Sequence, residues 1–429
     1  MSDTTIAAVL GRRVWDSRGR PTVEAEITLA GGAFGRAIAP AGASRGRHEA
    51  IDLRDGGTRH GGLGVDRAVA NVNGEIAKRL RGMDARDQEA LDGALIALDG
   101  TPQLARLGGN AVIAASMAAL HAAAAASKQP LWAYLAQGRP VRLPMPEIQV
   151  FGGGAHAGRR VDVQDFMVMP IGARSLAEAL DITAEVYRAA GELMAQAGKL
   201  QGVADEGGYW PAFDANEEAL EMLVRAIERA GFTPGHEAAI SLDIAASEFG
   251  KGGRYRFGLE DREFDSDALG ELLLGWLDRY PIVSIEDPLA EDDAAGMAKF
   301  TAAAASRVQI IGDDYLVTDA KRVAQAIADG ACNAVLVKPN QAGTVTAARA
   351  ALDAAKAAGW GTIVSARSGE TEDVTIVHLA TGWDAGQLKV GSFARSERMA
   401  KWNEGLRIEQ ALGSAARFAG WQRNEGNNP

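Results

Sequence analysis

VQIIGDDY, residues 308–315, is a short β-rich run that ends on acids. The same form recurs on either side of it. PIVSIEDP (281–288) ends on Glu286, NAVLVKPNQ (333–341) turns polar at Lys338, GTIVSARSG (361–369) at Arg367, and GQLKVGS (386–392) carries Lys389. Upstream, VDVQDFMVMP (161–170), LQGVADEGG (200–208) and AISLDIAASEF (239–249) read the same way. From VQIIGDDY onward the runs recur about every 25 residues, with helical segments between them. Eight strands alternating with helices predict an α/β fold, a β/α barrel of the TIM type. Catalytic groups of such barrels come from the C-terminal ends of several strands. Asp165, Glu206, Asp243, Glu286, Asp313, Lys338, Arg367 and Lys389 are expected there.

Taken singly, an acid after an apolar run is the ordinary N-cap of the next helix. Asp243, Glu286 and Asp313 on successive strand ends are different. A closed barrel brings those ends together, and the gathered carboxylates repel unless a cation sits among them. Hard oxygen ligands suit Mg²⁺, and no cluster of histidines or cysteines points to zinc. Lys338 and Lys389 share the rim. A lysine beside a divalent cation and a second lysine releases its proton more easily and can serve as a base. Glu206, across the barrel order, is the complementary acid. A base on one side and an acid on the other suit proton removal and leaving-group protonation in one elimination. Arg367 and Ser368 offer a fork and a hydroxyl to a phosphate or carboxylate.

The chain has 429 residues, and a small domain plus a barrel of roughly 250 residues accounts for them. Apolar runs at Ile6–Val14, Thr22–Leu29 and Ala33–Ile38, split by turn signals, predict an antiparallel three-stranded meander. From Val65 to about Leu135 the pattern is helical. Pro140, Pro144 and Pro146 in GRPVRLPMPEI (138–148) mark a domain boundary. It divides an N-terminal α+β domain, 1–140, from a barrel, 141–429. The alanine-rich segment Ala111–Ala126, interrupted by Ser116 and His121, is short for a membrane span and reads as a buried helix. A net charge of -11 argues against nucleic-acid and anionic-membrane partners, but not against a small anionic substrate held by a local cluster of cations. A single cysteine, Cys332, and an N-terminus without a signal-peptide pattern lead us to expect a cytoplasmic protein. The glycine-rich stretches APAGASRGRHEA (39–50) and FGGGAHAG (151–158) lack the Gly-Lys-Ser/Thr of a P-loop and read as lids with glycine hinges.

The blocks DSRGRPTVEAE (16–26), GASRGRHEA (42–50), LGGNA (107–111), GGAHA (153–157), DEGGYWP (205–211), SLDIAASEF (241–249), SIEDPLAEDD (284–293), IGDDYLVTD (311–319), LVKPNQAGT (336–344), SARSGETED (365–373) and RSERMAKWNEGLRIE (395–409) together resemble the enolase family over nearly the whole chain. The resemblance implies an N-terminal α+β domain of three-stranded meander plus helices, a modified barrel, and a homodimer or higher homo-oligomer. It implies reversible dehydration of 2-phosphoglycerate to phosphoenolpyruvate, with two Mg²⁺ per active site, the second substrate-dependent. Carried over, Asp243, Glu286 and Asp313 hold the first Mg²⁺, and Ser44 joins the second. Lys338 is the base and Glu206 the acid side, with Asp165 beside it and His156 on the second lid. Lys389 takes the substrate carboxylate, Arg367 and Ser368 the phosphate, and Gln164 and Arg45 are further substrate contacts. A lysine base paired with Mg²⁺ is the arrangement known for enolase-superfamily sites.

Several positions depart from that pattern. Enolases have histidine where Ala366 stands, and threonine where Arg45 stands. Asp165 is one methylene shorter than the family's glutamate. Ala41, Gly152, Ala155, Tyr209 and Trp210 also differ, and the changes are expected to cluster in the pocket. They admit a second reading, an enolase paralogue acting on a phosphonate or carboxyphosphono-enolpyruvate-type acid in natural-product metabolism, similar to a carboxyphosphonoenolpyruvate synthase. A non-catalytic binding protein is the third, and has no need of both lysines, the metal acids and Glu206 together.

Overall fold

The computed structural model describes residues 2–43 and 45–421. An antiparallel meander of β1 (Ile6–Trp15), β2 (Pro21–Leu29) and β3 (Phe34–Ile38) opens the chain. The β1–β2 turn is held by the Asp16 carboxylate, which accepts from the backbone N–H groups of Arg18 at 2.9 Å and Arg20 at 2.8 Å. Helix α1 (Gly109–Ala126) lies across this sheet. Its alanines let it come very close: a Cβ at Gly35 of β3 would stand 2.1 Å from the backbone nitrogen of Ala122. The helix is 83% buried, so the one described stretch apolar and long enough for a membrane is a core helix here.

Eight strands close the barrel: β4 (Met145–Gly152), β5 (Asp165–Met169), β6 (Ala239–Asp243), β7 (Ile282–Glu286), β8 (Gln309–Gly312), β9 (Ala334–Val337), β10 (Gly361–Ser365) and β11 (Gly386–Ser392). They pair in chain order, and β11 returns to β4 in parallel to complete the ring. β5 is antiparallel to both neighbours, the only barrel strand so placed. The segment from β4 to β5 has no crossover helix of the kind a parallel partner needs, so the chain folds back directly. Two helices, α2 (Leu176–Gln196) and α3 (Asn216–Arg229), then lead to β6.

This corrects the strand assignment. LQGVADEGG is not a barrel strand. Its residues form a hairpin, Leu200–Val203 with Tyr209–Pro211, attached to the barrel through Tyr209 beside Phe151. The missing barrel strand is β4, inside the proline-rich boundary segment. Prolines there are compatible with a strand because Pro146 lies at its second residue, near its end.

The helices take their caps from other residues than the strand-end acids. Asp265, Asp293, Asp319 and Thr344 accept from the first turns of the helices that follow β6, β7, β8 and β9. Asp243, Glu286 and Asp313 do not serve as these caps. The barrel interior is polar as well. Gln309 and Gln387 exchange amide hydrogen bonds at 2.7 and 3.0 Å, and Ser241 donates to Glu147 at 3.1 Å. Burial pushes the Glu147 carboxyl up to about 7.

The N-terminal domain is stitched to the rim of the barrel. Ala41 and Gly369 exchange two backbone hydrogen bonds of 2.9 Å. Ala50 N–H donates to Gln341 O at 2.8 Å, and Ile38 N–H to the Asp373 carboxylate at 2.9 Å. The loop 39–50 thus reaches the strand ends of β9 and β10.

Candidate active site

Strand register decides which charges meet. Asp165 pairs with Asp243, and Asp243 with Glu286, across β5, β6 and β7. Asp165 opens its strand rather than ending it; it reaches the shared rim because β5 is reversed. Lys389, in register with Ser365 and Glu147, sends its amine into the same place. Its Nζ lies 2.8 Å from Asp243, 2.8 Å from Glu286 and 3.3 Å from Asp165. Gln164 donates to the same Asp243 oxygen at 2.8 Å. Across the rim Lys338 Nζ donates to Asp313, whose other oxygen accepts from Gln341 at 2.9 Å.

The carboxylates around the two lysines set their proton affinity. Burial alone would lower both, but Asp313 holds Lys338 above the ordinary lysine value. Asp243, Glu286 and Asp165 hold Lys389 well above it. Carboxylates outnumber amines at this rim, so the local field favours the proton.

The acids carry the matching strain. Glu286 is fully buried, its Oε1 has no hydrogen-bond partner, and burial with the nearby charges of Asp243 and Asp313 raises its carboxyl well above the usual range. Asp287, Asp313 and Asp314 each bring an oxygen within 4.8 Å of the others. Asp287 is pushed up to about 8 by burial and Asp313, although it accepts from the backbone N–H groups of Asp313 at 2.9 Å and Asp314 at 2.7 Å. An orphaned carboxylate oxygen amid like charges is a site a hard divalent cation would relieve. The donor set therefore fits Mg²⁺. The carboxylates in closest mutual reach are Asp287, Asp313 and Asp314, a set the strand-end reading missed because two of them lie one residue past the expected ligands. Of the expected set, Asp243 and Glu286 meet on Lys389, and Asp313 stands with Lys338. Ser44, the expected ligand of a second cation, lies outside the described residues.

The opposite wall holds an imidazole between acids. His156 Nε2 lies 3.2 Å from Asp165 and its Nδ1 3.9 Å from Glu206. Burial opposes the charge, yet Glu206 and Asp165 raise the imidazole to about 9. Asp165 stays below the usual carboxylate range in spite of its burial, held by Lys389 and His156. Gln149 ties the group together: its amide nitrogen donates to Asp165, and its oxygen accepts from Gly208 N–H at 2.9 Å, on the turn that carries Glu206. Gly391, at φ 109°, lets that turn approach, since a Cβ there would stand 3.0 Å from Glu206 Cβ. Nothing in the sequence singled out Gln149, whose strand was read as a boundary.

The corner around Arg367 and Ser368 is assembled from both domains. Ser368 Oγ accepts from Ala43 N–H at 2.7 Å and from Arg18 at 3.2 Å. With its acceptor sites taken, its own proton is left to donate. Arg367 is buried and forms a two-armed pair with Glu49, at 2.9 and 3.3 Å. Arg18 and Glu49 lie in the stretches DSRGRPTVEAE and GASRGRHEA, where nothing local marks them as partners of Ser368 and Arg367.

One cavity is lined by Glu206, His156, Asp165, Gln164, Lys338, Lys389, Arg367, Ser368 and Ala366. The expected clustering of departures holds only for Asp165 and Ala366. Arg45 is exposed and outside the lining. Tyr209 stacks on Tyr187 with centroids 4.3 Å apart, and Trp210 lies against Gly158, so both pack behind the wall. Ala41 is engaged in its backbone pairing with Gly369. Gly152 and Ala155 are likewise not in the lining.

Comparison with known families agrees with this architecture. Residues 6–135 match the model of the enolase N-terminal domain, and residues 140–426 match that of the enolase C-terminal TIM barrel domain. The reversed β5, the domain seated on the strand ends and the acid–lysine rim thus stand in a chain matched along nearly its whole length, and the protein belongs to the enolase family.

Proposed function

We propose that this enolase-like lyase is a Mg²⁺-dependent enzyme that reversibly removes water from 2-phosphoglycerate to give phosphoenolpyruvate. The observation that carries the reading is one cavity lined by Lys338 and Glu206 together with Lys389, Arg367 and Ser368. Lys338, as the neutral amine, takes the proton from the carbon next to the carboxylate. The electron pair moves into the carboxylate as an ene-diolate. It returns to form the double bond as the carbon–oxygen bond of the hydroxyl breaks, and the acid side at Glu206 supplies the proton that lets water leave. Lys389 faces the substrate carboxylate, and Arg367 with the Ser368 hydroxyl holds the phosphate. Bound among Asp243, Glu286 and Asp313, Mg²⁺ would stabilise the developing charge and draw off the carboxylate field that keeps Lys338 protonated. Gln164 holds Asp243, and His156 and Asp165 keep the Glu206 side ordered.

A second reading is favoured by Ala366, which lines the cavity without a donor or acceptor on its side chain. A larger phosphono or carboxyphosphono acid would use the volume that a histidine would fill. On the family resemblance we extend the proposal to a cytoplasmic homodimer or higher homo-oligomer. Turnover of 2-phosphoglycerate with Mg²⁺, beside a chelated control, tests the first reading. Negligible turnover by protein that still binds Mg²⁺ would transfer the weight to the second.

A further inference from the structure

Glu49 has no part in the elimination as written, yet it is bound to the residue assigned to the phosphate. Both side chains of the pair are 4% exposed. Arg367 Nη1 lies 2.9 Å from Glu49 Oε2, and Nη2 3.3 Å from Oε1. Oε1 also accepts from Gly46 N–H at 2.8 Å and from Gln341 Nε2 at 3.3 Å. These donors come from the loop 39–50, from the short helix after β9 and from the turn after β10, so the carboxylate is fixed in place from both domains. A buried ion pair adds little net stability. Its lasting consequence is electrostatic: a fixed negative charge one guanidinium away from the anion subsite, where water screens it poorly.

We propose that Glu49 is a built-in counter-anion to Arg367 that weakens the phosphate subsite and so favours release of the phosphorylated product. The inference rests on the phosphate reading of Arg367 and Ser368. An unopposed buried guanidinium would hold a dianion tightly and return it slowly. With Glu49 present, the incoming phosphate meets a cation whose charge is already partly answered. Affinity then depends on the remaining contacts, including the Ser368 hydroxyl. Because Glu49 belongs to the loop 39–50, the same pair links the N-terminal domain to the charge state of the anion corner.

Titration calorimetry of the full chain with inorganic phosphate, in Mg²⁺, tests this on the wild type, E49Q and E49D. E49Q keeps the shape and removes the charge; E49D keeps the charge. E49Q is expected to bind phosphate about tenfold tighter or more, and E49D to stay within about threefold of the wild type. In turnover, E49Q should lower KM and kcat together, because tighter holding of the anion applies to product as well as substrate. Folded E49Q with unchanged or weaker phosphate binding would overturn the inference. So would tightening by E49D equal to that of E49Q, or failure of both variants to fold, which would make Glu49 structural only. No phosphate binding by wild type or variants would remove the phosphate reading itself, whereas equal binding by wild type and E49Q leaves that reading intact.

Discussion

The acid–lysine half of the cavity and the half around Arg367 and Ser368, proposed for proton transfer and for the anion, are built on different supports. Lys389, Asp165, Asp243 and Glu286 stand on barrel strands in register, so their separations follow from sheet geometry. Lys338 and Asp313 lie one residue past β9 and β8. The anion half is held by loops: Arg18 from the β1–β2 turn, Ala43 and Glu49 from the loop 39–50, and Arg367 and Ser368 from the turn after β10. On the proposed reading, strands fix most of the charged rim, while loops from two domains set which anion fits.

The largest effect expected is on the strand side. Lys338→Ala should lower exchange of the substrate α-proton with solvent deuterium by about 10²- to 10⁴-fold, while substrate still binds. Undiminished exchange in the variant would place the base elsewhere. Asp313→Ala should remove both Mg²⁺-dependent activity and the thermal stabilisation by Mg²⁺. That stabilisation is about 2.7 kcal/mol for a ligand at a hundred times its Kd. A melting curve that still rises with Mg²⁺ would show that the other acids suffice.

On the loop side, Ser368→Ala removes one charge-assisted hydrogen bond, worth about 1.5–3 kcal/mol in kcat/KM, with no effect on Mg²⁺ binding. A loss of Mg²⁺ affinity in this variant would mean that the halves are not separable. The pH dependence of His156 is an effect on stability. Folding raises its value from about 6.5 to about 9, so the imidazolium is favoured in the native state. The gain is complete below about 6.5 and is lost as pH rises through 9, by roughly 3 kcal/mol. Urea titrations across that window should show this slope in the wild type and a flatter one in His156→Asn. The smallest effect is expected from Ala366→His with Arg45→Thr, which should leave turnover of 2-phosphoglycerate equal or slightly better. Damage to the wild-type activity by this pair would favour the paralogue reading.

The alternation of β-rich runs with helical segments was sufficient for the barrel, because strand and helix periods are local properties of the chain. The rim residues were legible as a set: one acid after an apolar run can be an ordinary helix cap, but several on successive strand ends of a closed barrel converge. The block pattern of an enolase was carried by order and spacing, which need no coordinates. Tertiary structure decided the rest. Whether LQGVADEGG or MPEIQVFG completes the ring depends on which backbone pairs with β5 and β11, and both are plausible strands in isolation. That Asp165 reaches the rim from the start of its strand follows from a reversal that leaves no mark in hydropathy. Gln149, Arg18 and Glu49 are remote in sequence from the residues they hold, and a polar side chain inside a loop or strand does not announce its partner. The lysines are the clearest case. Their proton affinity depends on the sum of charges within a few ångströms, and Asp313, Asp243, Glu286 and Asp165 become neighbours of Lys338 and Lys389 only when the barrel closes.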